Sequence, residues 1–311
     1  MLRDEKVFLM GEDIGVYGGA MGVTQGLLQE FGSERVRDVP ISESGFVGLA
    51  VGAALMGHRP VVEIMFMDFI ALAADQIVNH AAKFRAVYGE QAKVPLVIRT
   101  AAGGGRCYGP SHSQNIEAWF VHTPGLKVVA PGTAEDAKGL LKSAIRDDDP
   151  VLFIEPKALY NQRMPVPEGE YTVPLGSAKV VCEGSDVSII CYGRAVREAV
   201  QAAALIASDD VSAEVVDLRT LSPLDMETII ASVRKTGHAI IVHEACRTGG
   251  VGAEVACRIM EHAFDYLDAP IQRLAAPDIP IPFSPELEAA TLPSAAEIAQ
   301  AARRSLGKAA E

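Results

Sequence analysis

The sequence has 311 residues, 49% of them hydrophobic and 22% charged, with a formal net charge of −12. This length suffices for about two domains, and an acidic chain without a lysine or arginine cluster argues against nucleic acid or membrane as a partner. Five scattered cysteines without a C-x-x-C pair argue against a disulfide framework or a zinc site. The charged start and the lack of an apolar run of ~18 residues predict a cytoplasmic protein.

Short apolar runs rich in β-branched residues alternate with alanine-rich helical stretches along the first half of the chain. Strands are predicted for KVFLMG, VRDVPI, PVVEIMF, VPLVIRT, GLKVVAP and PVLFIEP. Helices are predicted from Gly26, after Ser44, over 70–88 and over 134–146. This alternation is typical of βαβ units and predicts an α/β fold with a mostly parallel sheet.

The stretch NQRMPVPEGEYTVPLGSA, residues 161–178, is rich in proline and glycine and indicates a connector between domains. We therefore predict a first domain over 1–165, a linker over 166–180 and a smaller α/β domain over 181–311. Strands in DVSIICYG, SAEVVDLRT and HAIIVHEA alternate there with three helices. From Glu183 onward 19 acidic residues stand against 11 basic ones, so this domain has the more acidic surface.

A single carboxylate, Glu43, stands where a strand gives way to an apolar, glycine-studded helix in DVPISESGFVGLAVGAALMG. It could stabilise the helix N-terminus through the macrodipole, although neither neighbouring serine begins a capping box. A carboxylate among Ile41, Phe46 and Val47 holds a proton more readily than one in water, which suits acid–base chemistry near neutral pH. Both interpretations are open from the residues alone.

Three further stretches carry candidate site residues. His112 lies in a glycine-rich loop after a predicted strand, where α/β folds commonly place catalytic groups, although a surface histidine is the alternative. Met65 and Phe69 belong to an apolar stretch typical of a core, but a flat ligand ring could lie on Phe69. The acids at 147–149 follow the end of a predicted helix. They form either a solvated turn or a site that binds a cation.

The chain lacks the phosphate-binding G-x-x-x-x-G-K-S/T motif, G-x-S-x-G and H-E-x-x-H. GGVGAEVA, residues 249–256, imitates part of a dinucleotide fingerprint but has Val255 in place of the third glycine. A nicotinamide-dependent oxidoreductase is therefore an alternative function. A scaffolding subunit without catalytic residues is another, against which Glu43 in its apolar setting argues.

Several stretches together, in order and over nearly the whole chain, resemble one family of enzymes. They are GEDIGVYGGAMGVTQGL, ISESGFVGLAVGAAL, DQIVNHAAKF, GPSHSQNIEAWF, PGLKVVAP, DAKGLLKSAIRDDDPVLFIEPKALY and LRTLSPLD. The family is the beta subunit of the thiamine diphosphate-dependent dehydrogenase (decarboxylase) component of 2-oxo acid dehydrogenase complexes, which includes the acetoin dehydrogenase beta subunit. The resemblance implies a transketolase-like pyrimidine-binding domain followed by a transketolase C-terminal-like domain.

The resemblance implies an oxidoreductase that decarboxylates pyruvate or a branched-chain 2-oxo acid and transfers the acyl group to lipoamide, or else one that acts on acetoin. It also implies two alpha and two beta chains and docking to a lipoyl acyltransferase core. In this family the alpha chain holds magnesium and the diphosphate through a Gly-Asp-Gly motif, which this sequence lacks. Family members commonly carry a helix before DEKVFLMGED that the given sequence does not contain, so either the true start lies upstream or the helix is dispensable. Leu72 replaces a residue that is often polar in pyruvate enzymes.

By the same resemblance, Glu43 matches the residue that hydrogen-bonds a ring nitrogen of the aminopyrimidine and so promotes loss of the thiazolium proton. His112 matches a histidine that faces the reacting centre and assists decarboxylation or acyl transfer. Positions that contact the pyrimidine ring are matched by Ile41, Met65 and Phe69. A potassium-binding loop described for some relatives is matched by Leu96, Ala144, Ile145, Asp147 and Asp149.

Overall fold

A computed structural model describes residues 1–308 of the chain. The strands are β1 (Val7–Gly11), β2 (Val36–Asp38), β3 (Arg59–Phe66), β4 (Val97–Ala102), β5 (Lys127–Val129), β6 (Val151–Pro156), β7 (Lys179–Cys182), β8 (Val187–Cys191), β9 (Ala213–Asp217), β10 (Thr220–Ser222), β11 (Ala239–Cys246) and β12 (Gln272–Ala276). The α-helices are α1 (Leu27–Phe31), α2 (Glu43–Leu55), α3 (Phe84–Tyr88), α4 (Glu117–Val121), α5 (Ala134–Arg146), α6 (Ala195–Ala207), α7 (Met226–Thr236), α8 (Val251–Ala263), α9 (Pro285–Thr291) and α10 (Ala295–Ser305).

The first sheet has seven strands in the order β10-β5-β6-β4-β3-β1-β2, all parallel except β10. Helix α5 packs on one face, and α2 with the turns that follow β3 packs on the other. Strands covered on both faces need near-continuous apolar runs, which explains the composition of VPLVIRT and PVLFIEP. Because β1, β3, β4 and β6 are parallel, their carboxyl ends lie along one edge of the sheet.

The second sheet has five strands in the order β12-β11-β8-β9-β7, parallel except that β7 runs antiparallel to β9. Helices α6 and α10 cover one face, and α7 and α8 cover the other. The predicted α/β class with mostly parallel sheets is therefore confirmed. No helix within the described residues is long and apolar enough to cross a bilayer.

The two sheets are joined more closely than the sequence suggests. Strand β10 lies beyond the proline-rich connector, yet it pairs antiparallel with β5 of the first sheet. Within the connector, Val173 is buried against α5 and the Tyr171 hydroxyl donates to the carbonyl of Glu135. The domain bounds of 1–165 and 181–311, with a linker over 166–180, stay a prediction.

The prediction of one continuous helix over 70–88 is wrong. The chain forms a 3₁₀ helix at Met67–Ala73, a π-helical turn at Gln76–Ala81 and then α3. Apolar residues at spacings of three to five satisfy all three geometries, so the pattern alone does not distinguish them. Packing of Ile70, Ala73 and Ile77 into the core favours the three short helical segments over one continuous helix.

Candidate active site

Glu43 is the first residue of α2, and its side chain is only 5% exposed. The N-cap residue Ser42 makes no side-chain cap hydrogen bond. No hydrogen bond or ion pair joins the Glu43 carboxylate to another described residue, and Phe46 and Val47 beside it are buried. Glu43 is thus a buried acid at a helix N-terminus whose carboxylate is left available for a ligand.

A second acid, Glu12, lies directly after β1 on the same edge of the sheet. Burial, and then the charge of Glu43, raises the pKa of Glu12. One Glu12 oxygen, Oε1, is buried without a hydrogen-bond partner. The two carboxylates therefore form a compact acidic site at the carboxyl ends of the strands, a feature that the sequence analysis missed because 31 residues separate them.

Aromatic rings converge where β3 ends. A register shift between Ile64 and Phe66 in the pairing with β4 redirects the chain into the following 3₁₀ helix. The ring of His112 then meets the edges of two phenylalanines, with centroids 5.1 Å from Phe66 and 5.2 Å from Phe69. Since α2 packs against the same 3₁₀ helix, the fold places the helix of Glu43 beside this aromatic group.

The glycine-rich loop that carries His112 packs against the second α/β unit. The amide of Gly104 donates to Oε1 of Glu244 at 2.6 Å, and the amide of Cys107 donates to Glu288 at 3.0 Å. A Cβ on Gly103 would lie 2.6 Å from Glu244, and Gly103 has φ +86°. The glycines thus allow a close approach between the two halves of the chain.

Two side chains hold the backbone next to His112. Oδ1 of Asp68 accepts a hydrogen bond from the amide of Gln114 at 3.1 Å, and Lys157 donates to the carbonyl of His112. The imidazole Nδ1 is also within 3.1 Å of the Ser111 hydroxyl. Asp68 and Lys157 are site residues that sequence reasoning missed, since no residue pattern assigns either of them a role.

The other two predicted pyrimidine contacts differ in exposure. Ile41 is 84% exposed and Met65, at the end of β3, is half-buried. Leu72 on the 3₁₀ helix is also 62% exposed. An apolar surface next to a buried acid is typical of a site that a ligand or partner covers.

The glycines of residues 249–256 are explained by packing. A Cβ on Gly250 would lie 2.6 Å from both the Cys246 carbonyl and the His243 ring, and a Cβ on Gly252 would lie 2.6 Å from the same ring. His243 is fully buried, and its burial lowers its pKa to about 4. Close contact between α8 and β11 therefore accounts for the motif on which the nicotinamide alternative depends.

The predicted potassium loop lies at the amino ends of β4, β5 and β6, on the opposite edge of the sheet from Glu43. Its oxygens are already used within the chain. Nη1 of Arg59 donates to the carbonyls of Ile145 at 3.0 Å and Asp147 at 2.9 Å. The carbonyl of Leu96 accepts from the amide of Val151, and that of Ala144 accepts from Asp147.

The carboxylates of this loop are likewise paired. Lys127 contacts Asp147 at 2.7 Å and Asp149 at 3.2 Å, and Arg85 contacts Asp149 at 2.5 Å. Four cations, Arg59, Arg85, Lys93 and Lys127, pair with Glu90, Asp147, Asp148 and Asp149, and Arg59 also lies 4.0 Å from Asp4. Each carboxylate of this loop thus has a cationic partner within the described chain.

Comparison with known proteins assigns the family. Residues 1–163 match the transketolase pyrimidine binding domain, and residues 176–298 match the transketolase C-terminal domain. The pyruvate dehydrogenase E1 component subunit beta of Rickettsia felis is 49% identical over 304 residues, which cover 98% of this chain and 93% of that protein. The chain belongs to this beta-subunit family. The resemblance inferred from its motifs is confirmed.

Other members of the beta-subunit family differ in their named substrates and compartments. The acetoin:2,6-dichlorophenolindophenol oxidoreductase subunit beta of Cupriavidus necator is 47% identical over 316 residues, with 98% of this chain and 93% of that one covered. A mitochondrial pyruvate dehydrogenase beta-2 subunit of Oryza sativa is 46% identical, with 98% and 82% covered. Because relatives include bacterial and mitochondrial proteins, a cytoplasmic location stays a prediction for this beta-subunit homologue.

The fold of this family member agrees with a solved structure described as a split gene transketolase, inactive beta4 tetramer. The two superpose with a TM-score of 0.80 at 23% identity, over 99% of this chain and 94% of the other. At that identity the likeness concerns the fold. It supports the two transketolase-like domains predicted from the sequence.

Proposed function

We propose that this chain is the pyrimidine-binding half of a thiamine diphosphate-dependent dehydrogenase that decarboxylates a 2-oxo acid and passes the acyl group to lipoamide. The observation that carries the proposal is the buried Glu43 carboxylate, which has no partner in the described chain and lies at the strand edge that also bears the rings of Phe69 and His112. When bound, thiamine diphosphate supplies a carbon nucleophile once its thiazolium carbon has lost a proton.

The side chains have separate tasks in this proposal. Glu43 exchanges a proton with a ring nitrogen of the pyrimidine, and its apolar surroundings keep water from competing for that proton. Phe69 and Met65 orient the flat ring by contact, together with the exposed Ile41. Hydrogen bonding of His112 Nδ1 to Ser111 leaves Nε2 to exchange a proton with the substrate or to assist acyl transfer.

The proposal requires an alpha subunit. The described residues contain no group of three or more histidine, cysteine, aspartate or glutamate side chains that could hold a metal ion, and the sequence has no Gly-Asp-Gly. Magnesium and the diphosphate are therefore assigned to an alpha chain, in an enzyme of two alpha and two beta subunits. The exposed apolar side chains of Ile41 and Leu72 support a partner on this face.

The second partner in the proposal is the lipoyl acyltransferase core. With 19 acidic and 11 basic residues from Glu183 onward, the C-terminal domain suits a basic docking surface. Such an association weakens as salt screens charges beyond about 8 Å at ~0.15 M ionic strength.

Potassium does not fit the loop matched by the resemblance. The carbonyls of Ile145 and Asp147 face Arg59, and the carboxylates of the loop face Lys127 and Arg85, so another cation would enter a region that already holds three cationic side chains. We infer that these side chains take the place of the ion in this protein.

Acetoin cleavage is the second candidate function. The 47% identity to an acetoin oxidoreductase beta subunit favours it, as does an apolar residue, Leu72, next to the site. Both candidates use the same cofactor chemistry, so assays of the assembled enzyme with pyruvate, branched-chain 2-oxo acids and acetoin distinguish them.

The deciding experiment is Glu43→Gln in the enzyme assembled with its alpha subunit. The amide keeps the size of the side chain but does not exchange a proton with the pyrimidine, so thiazolium proton exchange in deuterium oxide should slow by ~10²–10⁴-fold. Assembly and melting temperature should stay near those of the parent.

Glu198→Gln is the matched control. Glu198 is also a buried acid in the first turn of a 13-residue helix, α6, but it is paired with Arg194 and Arg197. Its substitution should leave the exchange rate unchanged. If Glu43→Gln instead costs up to about 1 kcal/mol of stability and exchanges as fast as the parent, Glu43 only stabilises the helix N-terminus.

A further inference from the structure

Lys157 has a buried ammonium group that no established motif explains. It begins a single 3₁₀ turn, Lys157–Leu159, directly after β6, and its exposure is 0%. A lysine is almost never fully buried unless it is paired with an acid. Within the described chain, however, no carboxylate oxygen lies within 4.0 Å of the Lys157 ammonium.

The contacts of Lys157 all lead to His112. Its ammonium donates a hydrogen bond to the carbonyl of His112, which is 45 residues away in the chain. It also lies 5.1 Å from the ring centroid of Phe66 and 5.3 Å from that of Tyr108. The Phe66 ring in turn contacts the His112 imidazole edge-on at 76°. The cation therefore holds both the backbone of His112 and a ring against which its imidazole rests.

The charged groups around Lys157 come from four other elements. Burial, with a smaller contribution from Arg106 on the glycine-rich loop, lowers the pKa of the ammonium to about 8. Asp68 after β3, Glu244 on β11 and Glu288 on α9 act in the opposite direction. Asp68 also binds the amide of Gln114, so residues 112–114 are held from both ends.

We propose that Lys157 is a positioning residue that fixes the His112 carbonyl and thereby aims the imidazole at the reacting centre. The proposal rests on the function proposed above, in which His112 acts after Glu43 has helped to activate the cofactor. Lys157 should therefore affect the later steps and leave thiazolium proton exchange unchanged. A merely structural lysine would affect both steps together.

The test compares Lys157→Met and Lys157→Arg in the enzyme assembled with its alpha subunit. For Lys157→Met, kcat should fall at least tenfold while the thiazolium exchange rate stays within twofold of the parent. Lys157→Arg keeps a positive charge and N–H donors and should recover part of the lost rate. Equal losses in exchange and in kcat, or no loss in either, would overturn the proposal.

Lys138→Met is the matched control. Lys138 also donates to a carbonyl, that of Pro167 at 2.8 Å, and lies 4.8 Å from the centroid of a tyrosine ring, Tyr171. It makes these contacts at the protein surface, away from His112. Lys138→Met should leave both kcat and the thiazolium exchange rate unchanged. A tenfold loss of kcat in Lys138→Met would show that the loss in Lys157→Met is not specific to the contact with His112.

The pH profile tests the same proposal without relying on a variant that loses a buried contact. As the pH rises through about 8, Lys157 loses its charge, and kcat of the parent should fall with it. In Lys157→Arg the charge persists and this decline should be absent. A decline of equal size and midpoint in both proteins would overturn the assignment to Lys157.

A readout independent of turnover separates this proposal from the proposed function. Carbethoxylation of His112 by diethyl pyrocarbonate, followed by peptide mass mapping, should be several-fold faster in Lys157→Met than in the parent because the loop has lost its anchor. An unchanged modification rate overturns the positioning role. Absence of thiazolium exchange in the parent would instead overturn the proposed function and leave the modification result valid.

Discussion

The imidazole of His112 meets the ring of Phe69 edge-on, with centroids 5.2 Å apart and an angle of 85° between the ring planes. The contact joins the loop after β4 to the 3₁₀ helix after β3. In the proposed site Phe69 would therefore support two groups, the cofactor ring on one side and the candidate catalytic histidine on the other.

Phe69→Leu should weaken cofactor binding. An aromatic contact is worth about 0.5–1.5 kcal/mol beyond its buried area, so the Kd for thiamine diphosphate should rise about 2–13-fold. Isothermal calorimetry on the enzyme assembled with its alpha subunit measures this change. Phe84→Leu is the control, since Phe84 also packs against a histidine, His80 at 5.5 Å, but on α3. A larger effect at Phe84 would contradict the assignment of Phe69.

Glu117 should make stability depend on pH. Burial raises its pKa from 4.5 to about 6, although the Tyr192 hydroxyl, which donates to it at 2.7 Å, acts against the rise. The unfolded chain loses this proton first as the pH rises, so stability falls between about pH 4.5 and 6. The loss attributable to this fully buried group is about 2 kcal/mol.

The amide of Glu117→Gln does not titrate, so this variant should lose less stability than the parent as the pH rises. Its melting temperature relative to the parent should therefore rise from pH 4.5 to pH 7, as differential scanning calorimetry can measure. Glu168→Gln, at an exposed site in the connector, should show a constant difference. A Glu117→Gln difference that does not change with pH would contradict the raised pKa.

Potassium should not be required. Because Arg59, Arg85 and Lys127 already contact the oxygens of the loop, exchange of potassium for sodium at constant ionic strength should leave the melting temperature and the cofactor Kd unchanged. Lys127→Gln removes one cation from Asp147 and Asp149 and should make stability rise with potassium. Lys142→Gln, which affects a surface pair with Glu170, should not. Selective stabilisation of the parent by potassium would show that the ion binds.

The chain purified alone should bind thiamine diphosphate weakly and show no turnover. The reason is that it has neither a Gly-Asp-Gly motif nor, in the described part of the chain, a cluster of potential metal ligands. Co-expression with an alpha subunit should restore both tight cofactor binding and turnover. Tight, magnesium-dependent binding to the isolated chain in calorimetry would refute the division of the site between subunits.

The sequence alone sufficed for the fold class, the family and most of the central elements. The predicted helix over 134–146 agrees with α5, and the structure shows that the Thr133 side chain caps its start. The strands VPLVIRT and PVLFIEP were evident because burial on both faces demands continuous apolar residues. These signals are local, so each is visible within a window of a dozen residues.

The tertiary structure decided what depends on contacts between distant segments. The three residues of β10 are too few to show a period, and only their pairing with β5 places them in the first sheet. The partners of the acids at 147–149 come from β3, α3, the segment before β4, and β5, and no spacing in the sequence predicts them. Nothing in the sequence distinguishes Lys157 from an ordinary surface lysine, yet in the fold it is buried and donates to the carbonyl of His112. Its burial and electrostatic environment are properties of the packed chain.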